Sequence, residues 1–218
     1  MKKILLAFIF SSLNVFSFVP QNGDILFQDG SKSDFNEAIK NVTSSWKGKN
    51  FSHCGIVFID STNFINGTKN VPEIYVIEAI SEGVKLTHFS DFLARNTDAN
   101  NNPKVVVGRI IDSLRYTIPS AIENAKKMLG AGYDFAFDFE NDKYYCSELV
   151  YFSFLDRDGE YIFETNPMTF INQETNQVDK NWIEHFDKLG IEIPEGKEGI
   201  NPGGLSKSKF ITIIYSYY

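Results

Sequence analysis

Two cysteines and a histidine are the residues of this 218-residue chain that best suit nucleophilic chemistry. Cys146 lies in Tyr-Tyr-Cys-Ser-Glu-Leu-Val-Tyr (144–151), where early polar and later apolar residues predict the start of a helix. The positive end of the helix dipole and the unpaired backbone N–H groups favour a thiolate there and lower its pKa. The same N–H groups are placed to stabilise an oxyanion. Cys146 is therefore the candidate nucleophile.

His53 and Cys54 are neighbours in Phe-Ser-His-Cys-Gly-Ile-Val (51–57), a predicted strand. Because side chains alternate between the faces of a strand, we expect His53 and Gly55 on one face, and Cys54 and Ile56 on the other. The Cys54 face is continuously apolar, which predicts a small buried residue turned away from the chemistry. The His53 face leaves room beside Gly55 and suits a general base, although a lone strand histidine is more often structural.

Glu78 is the charged residue of an otherwise apolar strand segment, Tyr-Val-Ile-Glu-Ala (75–79). A buried carboxylate needs a partner, and a histidine on a neighbouring strand is a natural one. The alternative is an edge-strand glutamate that faces solvent. Cys146, His53 and Glu78 would together supply a nucleophile, a base and a carboxylate that fixes the histidine tautomer. A structural disulfide between Cys54 and Cys146 is the alternative interpretation of both cysteines.

Composition narrows the remaining possibilities. His88 and His185 lack a supporting pattern and are poorer candidates for catalysis. Three histidines and two cysteines without ligand spacing predict no metal site, and no cofactor is expected. A net charge of −7 without a basic stripe argues against nucleic acid as a partner. The sequence does not indicate the oligomeric state.

The N-terminus predicts export. Met-Lys-Lys, an apolar stretch over residues 4–10 and small residues near Ser17 are typical of a signal peptide, which we assign to residues 1–18. An amphipathic helix or a first strand is the alternative. The stretch is shorter than the roughly 20 residues that cross a bilayer, so no stable membrane span is expected. Residues 19–218 are predicted to form a single domain that is periplasmic or secreted.

The elements that must position these residues give an α+β pattern. Short runs rich in β-branched and aromatic residues predict strands at Asp24–Gln28, His53–Asp60, Glu73–Ala79, Lys104–Ile111 and Phe210–Tyr217. Apolar periodicity predicts helices at Asp34–Val42, Phe89–Ala94, Ser120–Leu129, Cys146–Leu155 and Lys180–Leu189. Pro119 and Gly130 lie at the start and end of the third helix. Segment 156–209 is loop-rich, and the roles of its residues stay open.

Read in order, several segments resemble the circularly permuted branch of the NlpC-type papain-fold cysteine hydrolases, the YiiX/YebB-like group. The resemblance rests on Gly23–Phe27, Ser52–Val57, Val76–Ala79, Gly132–Asp134 with Phe137, Tyr145–Leu149 and Gly199–Gly203. In ordinary papain-like enzymes the cysteine-bearing helix precedes the histidine strand. Here His53 precedes Cys146, which is the order of the permuted group.

The resemblance implies a permuted papain-like fold with a small central antiparallel sheet or barrel and the cysteine-bearing helix packed against it. It implies Cys146 as nucleophile, His53 as general base and Glu78 as the residue that orients His53. Tyr133 is expected either to line the cleft and bind substrate or to be an ordinary packing aromatic. Cys54 replaces the plain hydrophobic residue that usually follows the histidine.

The expected activity is hydrolysis of an amide, in a cell-wall peptide or a related small peptide, through an acyl-enzyme on Cys146. An acyl-lipid hydrolase or transferase of the same fold is the first alternative. The others belong to different classes: a catalytically silent peptide- or lipid-binding envelope protein, and a structural envelope protein whose two cysteines form a disulfide.

Overall fold

A computed structural model describes residues 18–30, 34–61, 64–65, 68–69, 72–172 and 174–218. Nearly all of the predicted signal peptide, residues 1–18, lies outside the described residues and stays a prediction. The strands are β1 (Ile25–Gln28), β2 (His53–Asp60), β3 (Phe64–Ile65), β4 (Thr68–Lys69), β5 (Glu73–Ile80), β6 (Gly83–His88), β7 (Val105–Ile110), β8 (Asn166–Pro167), β9 (Ile171–Asn172), β10 (Gln177–Val178), β11 (Glu198–Gly199) and β12 (Ile211–Ser216). The α-helices are α1 (Asp34–Asn41), α2 (Phe89–Ala94), α3 (Ile118–Lys127), α4 (Cys146–Ser153), α5 (Lys180–Leu189) and α6 (Pro202–Leu205). None of the helices described is long and apolar enough to cross a membrane.

Six strands form one antiparallel sheet in the order β12-β7-β1-β2-β5-β6. The prediction of an antiparallel sheet within a mixed α and β fold is confirmed, and the sheet is larger than expected. The added strand is β6, whose sequence Gly-Val-Lys-Leu-Thr-His was not predicted as a strand. It follows β5 through the short turn Ser81-Glu82, and Gly83 begins it with a φ of +108° that favours glycine.

The two faces of the sheet are covered by different helices. Cys54 and Ile56 of β2 belong to the main core cluster, together with Cys146, Leu149 and Val150 of α4. α4 contacts both β2 and β5. Val57 and Val76 belong to a second, smaller cluster that includes Phe92 of α2. Alternation along β2 and β5 therefore directs one set of side chains towards α4 and the other towards α2.

The start of α4 is fixed by hydrogen bonds from both of its flanks. The Tyr145 backbone N–H donates to the Glu148 carboxyl (3.1 Å), the contact by which a residue in the first turn caps a helix. The Ser147 hydroxyl donates to the Ile200 carbonyl (3.0 Å), and the Ile200 N–H donates to the Tyr145 hydroxyl (3.2 Å). The residues on either side of Cys146 thus bind the peptide groups of one distant residue, which lies just before α6.

Candidate active site

His53 and Glu78 lie side by side on β2 and β5. His53 Nε2 is 2.6 Å from Glu78 Oε2. Glu78 is fully buried, whereas the His53 side chain is 15% exposed. Gly55 permits this approach: a Cβ at Gly55 would lie 2.6 Å from Val76 and 3.2 Å from the Glu78 Cβ. The space beside Gly55 is therefore filled by the neighbouring strand that carries Glu78.

Glu78 has two further partners that the sequence interpretation missed. The Thr87 hydroxyl of β6 donates to Glu78 Oε1 (2.5 Å), and the Arg95 guanidinium donates to both carboxylate oxygens (2.5 and 2.8 Å). Arg95 follows α2 directly. Burial alone would raise the pKa of Glu78, but Arg95 and then His53 hold it well below its usual range. The one indication of a cationic partner in the sequence was Glu78 itself, because a buried carboxylate is stabilised by a nearby cation.

Cys146 acts on His53 from the side opposite to Glu78. A hydrogen bond and the opposite charge of Cys146 act on His53, together with those of Glu78. Burial would lower the pKa of His53, and these two partners raise it to about 9. Because Nε2 is bonded to Glu78, Nδ1 is the ring nitrogen that remains for Cys146. The arrangement favours a thiolate on Cys146 beside an imidazolium on His53.

The expectation that Cys54 points away from the nucleophile is wrong. The Cys54 thiol is the largest influence that lowers the pKa of Cys146, and the Cys54 backbone adds a smaller effect in the same direction. Burial raises the pKa of the Cys54 thiol well above its usual value, so Cys54 stays protonated as a donor. Alternation did place Cys54 in the apolar core, but α4 packs on that same face. Both cysteines are free thiols here.

Tyr133 lies between two cavities that meet at this site. The first reaches Cys146; its lining is mainly apolar and includes Ile39, Val42, Phe137, Met168, Phe170 and Trp182. The second reaches His53 and is lined by polar groups such as Gln28, Ser81, Arg95 and Asn96. Tyr133 and Ser52 line both. Burial, and next the charge of Cys146, raise the pKa of Tyr133 well above its usual value, so its hydroxyl keeps its proton.

His88 and His185, the other two histidines, make contacts away from Cys146 and Glu78. The His88 ring lies 4.7 Å from that of Tyr75, and His185 bonds to the Phe135 carbonyl (2.7 Å). Neither histidine lines the two cavities. Asp24, which lies in the segment Gly23–Phe27 of the resemblance, accepts from the Gln21 N–H and forms a two-pronged ion pair with Arg109. In the part of the chain that the structure describes, no group of three or more histidine, cysteine or acidic residues is arranged to hold a metal ion.

The chain is similar to known proteins over most of its length. Residues 19–215 match the family described as permuted papain-like amidase enzymes, YaeF/YiiX, C92 family. YiiX of Escherichia coli (strain K12), an uncharacterized protein, is 26% identical over 213 residues, which are 97% of this chain and 94% of that protein. The crystal structure of YiiX from Escherichia coli O157:H7, described as a metalloprotein, is similar with a TM-score of 0.66 and 25% identity, over 90% of this chain and 97% of the other. The chain belongs to the permuted papain-like amidase family and is an amidase-type thiol hydrolase.

Proposed function

We propose that this protein hydrolyses amides through an acyl-enzyme on Cys146, with His53 as the acid and base and Glu78 as the residue that orients His53. The observation that carries the proposal is the 2.6 Å pair of His53 with the fully buried Glu78, together with the opposite shifts that Cys146 and His53 cause in each other's pKa. Cys146 and His53 each line a cavity, and the directions of their pKa shifts are those that a thiolate nucleophile and its proton donor require.

The chemistry follows from these ionisation states. The Cys146 Sγ attacks the amide carbonyl carbon, and the carbonyl oxygen becomes an oxyanion beside the unpaired N–H groups of the first turn of α4. His53 donates its Nδ1 proton to the leaving nitrogen, so the C–N bond breaks and the acyl group stays on Cys146. His53, now neutral, takes a proton from water, and the resulting hydroxide attacks the thioester. The acid leaves, and the thiolate–imidazolium pair is restored.

Tyr133 is proposed as a substrate-binding residue. It lines both cavities beside Cys146 and His53, and its hydroxyl keeps its proton. A protonated phenol at this position suits a donor to the substrate carbonyl or to the oxyanion. Its ring also lies 4.7 Å from that of Phe135, which supports an additional packing role.

The first candidate substrate is a cell-wall peptide or a related small peptide, acted on outside the cytoplasm. The location outside the cytoplasm is proposed from the residues at the N-terminus that resemble a signal peptide. The resemblance of the active-site segments to NlpC-type hydrolases supports a peptide as the substrate. An intact set of nucleophile, base and orienting carboxylate also favours turnover over a silent binding protein.

The apolar cavity favours a second candidate, an acyl-lipid hydrolase or transferase. Its lining next to Cys146 comes mainly from aliphatic and aromatic side chains, among them Val42, Met168 and Trp182. A hydrocarbon chain would gain about 0.8 kcal/mol for each methylene group that it buries there. In this candidate the same acyl-enzyme carries a fatty acyl group.

No step of the proposed reaction is assigned to a metal, although the solved YiiX structure is described as that of a metalloprotein. Each Glu78 oxygen already accepts two hydrogen bonds, from His53, Thr87 and Arg95. Among the described residues no group of three or more histidine, cysteine or acidic side chains could hold a metal ion. The donor set therefore suits proton transfer.

Mass spectrometry of the intact protein tests the proposal. The protein is incubated with amides that share one leaving group and differ in the acyl part, from cell-wall peptides to long acyl chains. We expect an acyl adduct on Cys146, release of the leaving amine and no turnover by Cys146→Ala. Cys54→Ser is the matched control and should still form the adduct. Turnover by Cys146→Ala would disprove the assignment of the nucleophile, and binding of every amide without cleavage would favour a silent binding protein.

A further inference from the structure

Arg95 occupies half of the hydrogen-bonding capacity of Glu78. An ionised carboxylate accepts about four hydrogen bonds. At Oε2 the donors are His53 Nε2 and one Arg95 nitrogen, and at Oε1 they are the Thr87 hydroxyl and the second Arg95 nitrogen. All four positions are filled, and two of the four bonds come from one guanidinium. Such a two-pronged pair fixes orientation as well as charge.

The position of Arg95 is set by the helix that covers this face of the sheet. Arg95 caps the end of α2, where its backbone N–H donates to the Asp91 carbonyl. Its guanidinium lies 5.4 Å from the centre of the Phe92 ring, and that ring is 5.9 Å from the ring of His53. The Phe92 carbonyl accepts from Gln28 Nε2 (2.8 Å). Arg95 thus reaches Glu78 from a packed framework, with its side chain 35% exposed.

The charges of Glu78 and Arg95 act in opposite directions on the proton of His53. A bare buried carboxylate would hold the imidazolium proton of His53 very tightly, and the proton would then be hard to deliver to a leaving nitrogen. The charge of Arg95 offsets that of Glu78 and repels the imidazolium. Arg95 also keeps Glu78 ionised when His53 is neutral, in the acyl-enzyme stage, so the buried oxygens keep charged donors throughout the cycle.

We propose that Arg95 is a positioning residue of this reaction, which acts through Glu78 to weaken the hold of His53 on its proton. The inference rests on the proposed function of Cys146, His53 and Glu78. The polar and charged neighbours that face the pair are the Thr87 hydroxyl and Lys85 on β6, the Cys54 and Cys146 thiols, Tyr133, and Glu82 and Asp91 near Arg95. Arg95 is the cation that bonds directly to Glu78.

Nuclear magnetic resonance titration of the three histidines tests the proposal in the full chain. In Arg95→Met we expect the midpoint of the His53 titration to rise by about one pH unit or more. In Glu78→Gln it should fall, and Arg95→Lys should stay near the wild type. His88 and His185 lie outside the site and serve as internal controls. A simple loss of packing would not move the two variants in opposite directions.

Turnover gives the second readout. Arg95→Met should lower kcat more than it raises KM, and its basic limb should move to higher pH. An unchanged or lowered His53 midpoint in Arg95→Met, with His88 and His185 unmoved, would overturn the proposal. If that variant does not fold, Arg95→Gln replaces it with the same expected direction. Failure of the proposed function would look different, because wild type would then form no acyl adduct whatever the His53 titration shows.

Discussion

The thiols of Cys54 and Cys146 lie close enough to shift each other's pKa across the contact between β2 and α4. Cys54 is fully buried and Cys146 is 5% exposed, so substrate can reach only the latter. The two thiols have opposite ionisation tendencies, since one pKa is raised by burial and the other is lowered by its neighbours. Cys54 thus stabilises the nucleophile as a donor, without being a nucleophile itself.

Replacement of Cys54 should weaken the Cys146 thiolate. In Cys54→Ala the donor is lost, and a hydrogen bond to a charged group contributes about 1.5–3 kcal/mol. We expect the pKa of Cys146 to rise by about one unit and alkylation by iodoacetamide at mildly acidic pH to slow about tenfold. Cys54→Ser keeps a donor and should react nearly as fast as wild type. Equal profiles for alanine, serine and wild type would show that the contact has no electrostatic effect.

Hydrolysis is expected to follow a bell-shaped pH profile. The acid limb reports formation of the Cys146 thiolate, whose pKa lies below the ordinary 9.0 because Cys54 and then His53 donate to it. The basic limb reports loss of the His53 proton, because only the imidazolium can protonate the leaving nitrogen. Burial would lower the pKa of His53, but Cys146 and Glu78 raise it to about 9. Activity should therefore persist through neutral pH and fall as the pH passes about 9.

Two measurements check this profile. The dependence of kcat/KM on pH locates both limbs, which belong to the interacting pair rather than to either residue alone. His53→Ala should slow iodoacetamide labelling of Cys146 at neutral pH by about tenfold or more, because the imidazolium no longer favours the thiolate. A basic limb near 6.5, the ordinary value for histidine, would contradict the ion pair.

The sequence was informative about local structure and poor at long-range contacts. Alternation along β2 correctly separated His53 from Cys54, because the period of a strand is local. Alternation gives no information on which face of the sheet a distant helix covers. The sequence therefore could not show that α4 packs on the face of β2 that carries Cys54, and Cys54 was predicted to lie away from the site. Arg95 was missed because it lies just beyond a short helix and carries no motif. The one indication of Arg95 was indirect, because a buried carboxylate such as Glu78 needs a cationic partner.

Glu148 should make the protein less stable as the pH rises. It is 1% exposed, and burial is the largest cause that raises its pKa from 4.5 to about 9. Below pH 4.5 both folded and unfolded chains bind the proton. Between pH 4.5 and about 9 only the folded chain does, so unfolding releases a proton and stability falls. The loss by pH 7 is on the order of 3 kcal/mol.

The substitution Glu148→Gln isolates this effect. Glutamine keeps a carbonyl oxygen for the Tyr145 N–H and never needs a proton. Urea unfolding at pH 5 and pH 8 should show a smaller decrease in the variant than in wild type. Glu123→Gln, at an exposed position of α3, is the matched control and should behave as wild type. Parallel decreases in all three proteins would mean that Glu148 is ionised in the folded state.

A larger side chain at Val42 should separate the two candidate substrates. Val42 follows α1 and lines the apolar cavity that reaches Cys146. In Val42→Phe the added ring takes space that a long acyl chain would occupy, but it leaves Cys146, His53 and Glu78 unchanged. With one leaving group held constant, kcat/KM for long acyl amides should fall about tenfold or more, since each methylene excluded costs about 0.8 kcal/mol. Short acyl amides should react almost as before.

Ile183→Phe is the matched control for this variant. Ile183 lies on α5, is 45% exposed and does not line the cavity, so the same added volume should affect neither substrate class. A selective loss of long acyl substrates in Val42→Phe would identify the cavity as the site of the acyl chain and favour the acyl-lipid candidate. An equal loss for short and long chains would mean that the cavity serves the fold of the site instead. Cleavage of cell-wall peptides that Val42→Phe leaves intact would favour the peptide candidate, because their acyl part would then lie elsewhere.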